Sequence, residues 1–267
     1  MQADEHLRQG NPKAALAHLQ EIVRRDPSSS AWRIYLFQLL SIHGAWDRAA
    51  TQLGVLAEMD PATEAMVRTY REALQCEALR KEIFAGTHTP MIFGEPEPWA
   101  AWLSHAAMLD GRGQTAEAEA LRKKALEQAP TVPGSIDGRP FAWIADADTR
   151  MGPLLEAIVF GKYYWIPFSR IRGIVLEKPA DLRDFVWMPA EFIWSNGGKA
   201  VGFVPTRYPG SESSEDGLIQ LARKTDWVQT GPATWLGLGQ RMFATDAGDF
   251  ALCDVRTIAL QPPGEGA

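Results

Sequence analysis

The sequence predicts an α+β protein: an N-terminal stack of tetratricopeptide-like helical hairpins, then a compact, strand-rich α+β unit built on a twisted sheet or small barrel. Three observations predict it. A 34-residue period runs through the first part of the chain, pairing Gly10 with Gly44, Leu19 with Leu53, Ile22 with Leu56 and Asp26-Pro27 with Asp60-Pro61. That is the length of the two-helix tetratricopeptide unit. From residue 131 the apolar residues come instead in short runs separated by turn residues, as strands do. Finally, 267 residues, 46% of them hydrophobic and 22% charged, exceed one small domain and suit two. The expected division is a helical repeat domain over 1–130, a strand-rich domain over 131–260 and a flexible tail over 261–267.

Each helical element has its own reason. Gly10, Gly44 and Gly113 fall at turns between paired helices, where positive φ favours glycine. In each copy a proline follows 17 residues later, at Pro27, Pro61 and Pro130, and stops the second helix. Ala15, Ala49 and Ala118 sit where the paired helices cross closely. The repeat is imperfect: Phe37 and Ala106 replace the usual glycine of the first helix, and Arg33 its usual aromatic. Residues 62–85 read as one helix, with Met66, Tyr70, Leu74, Leu79 and Ile83 on one face. Glu64, Glu72 and Glu77 alternate with Arg68, Arg71, Arg80 and Lys81 on the other. Residues 86–98 form a Pro- and Gly-rich connection whose centre, Met91-Ile92-Phe93, is expected to dock back onto the helices. Helices over 99–109 and 115–128 close this half, with Thr115 as N-cap and Arg122, Lys123 and Lys124 toward the cation-favouring end.

In the second half, strands are expected over 141–144, 163–166, 171–177, 192–194, 199–205, 235–238, 241–244 and 250–254. Helices are expected over 152–160 and, shorter, over 217–223. Turns are expected at 195–198 and 246–249, and a polar loop, SESSED, at 211–216. Six of the ten tryptophans lie in this half.

Composition excludes several function classes. The net charge is -6, with 14 Lys/Arg against 17 Asp/Glu up to residue 130 and 13 against 16 beyond it. Neither half offers the basic surface that nucleic-acid binding needs. Two distant cysteines make no disulfide framework, and the chain shows neither a signal-like leader nor an 18-residue apolar run. A cytoplasmic protein with no membrane segment is expected. All five histidines precede residue 110, which rules out a histidine triad within the second half. Gly237-Leu238-Gly239-Gln240-Arg241 lacks the helix and lysine of a nucleotide-binding loop, so no cofactor is expected. The carboxylates Asp146 and Asp148, with Glu156 or Asp226, offer an alternative: a metal-dependent or hydrolytic enzyme centred on Asp146, Asp148 and Asp226. Arg150 and the Arg183-Asp184 pair argue for structural ion pairing instead.

Several stretches carry a resemblance: residues 141–153 (FAWIADADTRMGP), Tyr164-Trp165-Ile166-Pro167, residues 182–190 (LRDFVWMPA), Thr225-Asp226-Trp227, and Gly237-Leu238-Gly239-Gln240-Arg241. In these the chain resembles the ImpE/TagJ family of type VI secretion accessory proteins, whose N-terminal half is also helical. The resemblance implies a non-enzymatic adaptor that binds the N-terminal helix of the contractile sheath's small subunit. It implies an association with the ATPase that dismantles the sheath, and no catalytic residue. Two troughs would suit a partner helix. One is lined by Trp32, Tyr35 and Gln38 on the first helix of a repeat. The other is an aromatic cleft near Arg150, Arg183, Trp187, Trp227, Gln240 and Arg241. A scaffold whose partner is another secretion component is a further alternative, and self-association is left open by composition.

Overall fold

The computed structural model of the chain describes residues 1–262 apart from residue 96, so the last five residues of the expected tail lie outside the described residues. Seven helices come first: α1 (Gln2–Arg8), α2 (Pro12–Arg25), α3 (Ser30–Ile42), α4 (Trp46–Met59), α5 (Glu64–Phe84), α6 (Pro98–Gly111) and α7 (Thr115–Gln128). The α1–α2, α3–α4 and α6–α7 turns each contain the expected glycine in the left-handed region, at φ 72° for Gly10, 63° for Gly44 and 76° for Gly113. Ala15, Ala49 and Ala118 are fully buried at the helix crossings. Asn11 and Ser29 cap α2 and α3 through their side chains. Thr115 does not cap α7; it is the first helical residue, and Gln114 precedes it without a side-chain bond. Arg122 is drawn inward rather than toward the C-terminal carbonyls, pairing with Asp110 and donating to Thr234 Oγ1 at 2.9 Å.

The strands are β1 (Met91–Ile92), β2 (Gly134–Ile136), β3 (Arg139–Phe141), β4 (Ile144–Asp146), β5 (Leu154–Val159), β6 (Lys162–Pro167) and β7 (Ile171–Leu176). They continue with β8 (Trp187–Trp194), β9 (Lys199–Pro205), β10 (Thr225–Gly231), β11 (Thr234–Gly239), β12 (Met242–Thr245), β13 (Gly248–Ala251) and β14 (Thr257–Leu260), with α8 (Gly217–Gln220) between β9 and β10. Nine strands make an open sheet in the order β1-β6-β5-β9-β8-β7-β14-β2-β3, so the sheet twists without closing into a barrel. A three-stranded sheet, β13-β12-β4, and the β10–β11 hairpin complete the second half.

Three expectations are corrected here. Residues 152–160 contain strand β5, not a helix, because every residue of Leu154–Val159 is buried. A strand covered on both faces loses the alternation that distinguishes it from a buried helix. The 141–144 strand is split, ending β3 at Phe141 and restarting β4 at Ile144. Met91-Ile92 docks onto the sheet, pairing parallel with Tyr164 and Trp165 of β6, rather than onto the helices.

The helices lie on one face of the large sheet. Leu154 and Ile158 of β5, Tyr163 and Trp165 of β6, and Trp187 of β8 enter the same apolar cluster as Phe37, Leu53, Tyr70 and Ile83. The opposite face, with Leu155, Ala157, Ile166, Met188 and Phe192, packs under Phe243 and Leu252. The 211–216 loop is held in place: Ser211 is buried, accepts from Gly239 N at 2.7 Å and donates to Tyr208 O at 2.6 Å.

Candidate functional site

Five of the side chains singled out in the sequence, Asp146, Asp148, Arg150, Glu156 and Arg241, converge on a buried ion network between α5 and the sheet. Glu156 projects from β5 toward α5 and meets Arg80 at 2.6 Å (Nε to Oε1) and 3.0 Å (Nη2 to Oε2). It also pairs with Arg241 and accepts from the Tyr163 hydroxyl. Arg241, fully buried, bridges Glu156 to Asp146. Asp146 accepts further from the Tyr208 hydroxyl at 3.0 Å and from Asp148 N at 2.9 Å. Asp148 binds Arg150 Nε at 2.9 Å and holds Gly237 N of β11 at 2.9 Å. Glu77 of α5 accepts from Trp187 Nε1 at 3.0 Å.

The surroundings set the protonation of each group. Burial works against the charge of Glu156, but Arg80 and Arg241 outweigh it and hold the carboxyl at about 2. Asp146 has one guanidinium, and burial pushes it up to about 6. Burial likewise pushes Glu77 upward, since Arg80 spends its closest bonds on Glu156. Both thiols, Cys76 and Cys253, are pushed up to about 12 by burial, far from thiolate at neutral pH.

The carboxylates Asp146, Asp148 and Asp226 do not form one site. Asp146 and Asp148 are buried against arginines, whereas Asp226 lies exposed on β10 beside Lys224, 3.6 Å away. Among the described residues no group of three His, Cys, Asp or Glu is arranged to hold a metal ion.

The expected partner-binding residues are scattered, and several are consumed internally. Trp187 is fully buried, stacked on Phe37 at 6.4 Å and tilted against Tyr70 at 5.6 Å, so it is core rather than an exposed anchor. Arg241 is fully buried in the ion network, and Arg150 is buried beside it against Asp148. Gln240 is tied to Ala222 O and Cys253 N. Trp227 packs on Tyr208. Arg183 pairs with Asp181 and lies 4.9 Å over the Tyr70 ring. On α3, Gln38 is buried, Trp32 is half-buried against the helical core, and Tyr35 donates to Asp4 at 2.7 Å. Neither expected trough is an open apolar surface.

The open surface lies elsewhere. The helices cover β6, β5 and the Trp187–Phe203 end of β8 and β9, and then stop. Beyond them a cross-strand row, Thr257–Val175–Glu191–Val201, runs over β14, β7, β8 and β9 on that same face. Val201 is 76% exposed and Val175 43%. Between this row and α5 lies a trough of about 590 Å³, lined by Thr69 and Glu72 of α5, Pro189, Phe203 and Glu177, with Phe160 at its rim. The sequence reading missed Phe160, Val175 and Val201. The signal was present in β9, where Val201 shares its side of the strand with Lys199 and Phe203.

Comparisons with known proteins agree with this architecture. Residues 138–259 match the family model described as ImpE protein, and residues 6–72 match a tetratricopeptide repeat model. Over 262 residues the chain is 49% identical to the type VI secretion system accessory component TagJ of Pseudomonas aeruginosa, covering 98% of this chain and 92% of that protein. A 91-residue stretch is 32% identical to part of the phenylalanine–tRNA ligase alpha subunit of Methanopyrus kandleri, but spans only 17% of that protein. A crystal structure of a Vibrio parahaemolyticus protein superposes with a TM-score of 0.89 over 98% of both chains at 24% identity, which bears on the fold alone. With the helical repeats, the strand-rich half and a likeness that spans both, the chain belongs to the ImpE family, together with TagJ.

Proposed function

We propose that this chain is a non-enzymatic adaptor of a type VI secretion system. It binds the N-terminal helix of the contractile sheath's small subunit and thereby modulates sheath disassembly by its ATPase. Sheath assembly places it in the cytoplasm. The observation that carries this reading is the 49% identity, over nearly the whole of both chains, with a protein named as an accessory component of that machine. The site geometry supports it from the other direction. Asp146, Asp148, Glu156, Arg150 and Arg241 spend their charges on one another, which leaves recognition to apolar burial and to charges outside this network. No helix among the described residues is long and apolar enough to cross a membrane.

Calorimetric titration with a peptide covering that sheath helix, against a scrambled peptide, tests the proposal. Saturable one-to-one binding confined to the authentic sequence is expected. Absence of heat up to high micromolar peptide would overturn it.

A further inference from the structure

The sheet's helix-facing side is only partly roofed. A helix is about 10 Å across and adjacent strands are about 4.8 Å apart, so one helix roofs two to three strands. α5 and its neighbours account for β6, β5 and the near ends of β9 and β8. Among the described residues no helix covers the rest of β9, β8 and β7, a strip about 10 Å wide that β14 continues, on a face that carries helices elsewhere. Among its exposed members, beside the polar Thr257 and Lys199, are three large apolar side chains: Val201, Val175 and, at the rim, Phe160.

Phe160 supplies a second, independent observation. The β5–β6 hairpin closes through Phe160-Gly161, between the paired residues Val159 and Lys162. Phe160 has φ 54° and Gly161 φ 70°. Such a turn favours Asn-Gly, and a bulky residue at positive φ is strained. Yet Phe160 is 69% exposed, so its ring gains little from the fold that holds it there. Backbone strain kept for a side chain that faces solvent points to a use outside the chain.

The charge at the border of the trough fixes the occupant's chemistry. Glu72 on α5 and Glu177 after β7 line it, and neither has an ion pair among the described residues; Glu191 is shared with Lys199 at 2.9 Å. We propose that this bare strip beside α5, from Phe160 across Val201 to Val175, seats a single amphipathic helix of the partner, its apolar stripe on the valines and its flanking Lys or Arg residues against Glu72 and Glu177. The helix completes the interrupted helical layer, and the Phe160 ring closes over one end. This assignment rests on the adaptor reading and adds where the helix sits and which charges it carries.

The test uses the full chain and the same sheath peptide. Phe160→Asn suits the turn better than the native residue, so its melting temperature should be equal or higher while affinity falls tenfold or more. Val201→Lys should weaken binding similarly, and Glu72→Lys with Glu177→Lys should weaken it and flatten its salt dependence. Arg24→Ala, on the exposed last turn of α2, is the control and should bind within twofold of wild type. If wild type binds and every strip variant binds within twofold of it, the strip is not the seat, and the adaptor reading stands without it. If wild type fails to bind, the adaptor reading falls and takes this assignment with it. A concentration-dependent dimer of the wild type that Phe160→Asn makes monomeric would overturn the assignment by showing a second copy on the strip.

Discussion

Glu156 is the residue on which the two halves of the molecule are pinned. Its carboxylate is fully buried and answers two guanidinium groups, Arg80 from α5 and Arg241 from beyond β11. Removing one member of such a buried cluster leaves charge uncompensated and typically costs about 3–5 kcal/mol. Glu156→Gln, nearly isosteric, is therefore expected to lower unfolding free energy by about that amount in urea titration. The pH dependence has a sign. The folded carboxyl is held at about 2 against its ordinary value of 4.5, so the unfolded chain binds more protons between those limits. The contribution of Glu156 is complete above about pH 4.5 and drains as pH falls toward 2. Asp146 runs the other way. Raised from 3.8 to about 6, it takes up its proton first in the folded state, which favours folding as pH drops through that window. Melting temperature should thus hold or rise slightly from pH 6 to 4.5 and then collapse, and Glu156→Gln should blunt the collapse. An unchanged acid limb in the variant would show that other carboxylates govern it.

At the scale of elements, what was legible followed from local chemistry, and what was missed depended on distant neighbours. The helical hairpins were readable because their turns need glycine and their crossings need alanine wherever the stack sits. This gives a direct test. Gly113→Ala meets only the left-handed strain at φ 76°, with nothing within 4 Å of the new Cβ. It should lose about 1–2 kcal/mol. Gly44→Ala adds a collision, its Cβ falling 2.5 Å from Glu212 Cγ of the 211–216 loop, and should lose clearly more. Equal losses in urea titration would mean that this loop yields freely. Strand β5 was misread because both of its faces are roofed, a fact about its surroundings that its own residues do not carry. The same holds for the candidate site. Trp187, Arg150 and Arg241 looked like surface anchors because aromatic and arginine residues do anchor partners, but their partners are Phe37, Tyr70, Asp148 and Glu156 of this chain. The apolar parity of Val201 and the Phe at a turn suited to Asn were in the sequence. They acquire meaning only once the helical layer is seen to end beside them.

For the molecule as a whole, the change of pattern at residue 131 marks a change of architecture, and we propose that it is not a boundary between independently stable units. A single apolar cluster joins Phe37, Leu53, Tyr70, Leu74 and Ile83 of the helices to Leu154, Ile158, Tyr163, Trp165 and Trp187 of the sheet. Polar ties cross at several further points. Arg207 of the second half donates to Ile42 O at 2.7 Å at the end of α3, where helix carbonyls favour a cation. Arg223 donates to Leu7 O at 2.6 Å, and Ala233 N to Glu119 at 2.7 Å. Cutting the chain at residue 130 would leave two buried tryptophans and the charges of Glu156 and Arg241 facing water on one fragment. It would strip Arg80 of Glu156 and Glu77 of the Trp187 indole on the other, leaving the two only each other. Neither piece then buries enough to offset its conformational entropy. Residues 131–260 expressed alone should be insoluble or molten, and the intact chain should unfold in one transition, with helix ellipticity and tryptophan emission lost at the same urea concentration. A soluble 131–260 fragment with dispersed amide resonances, or two separated transitions in the full chain, would show instead that the sheet carries its own fold and that the helices are an appended arm.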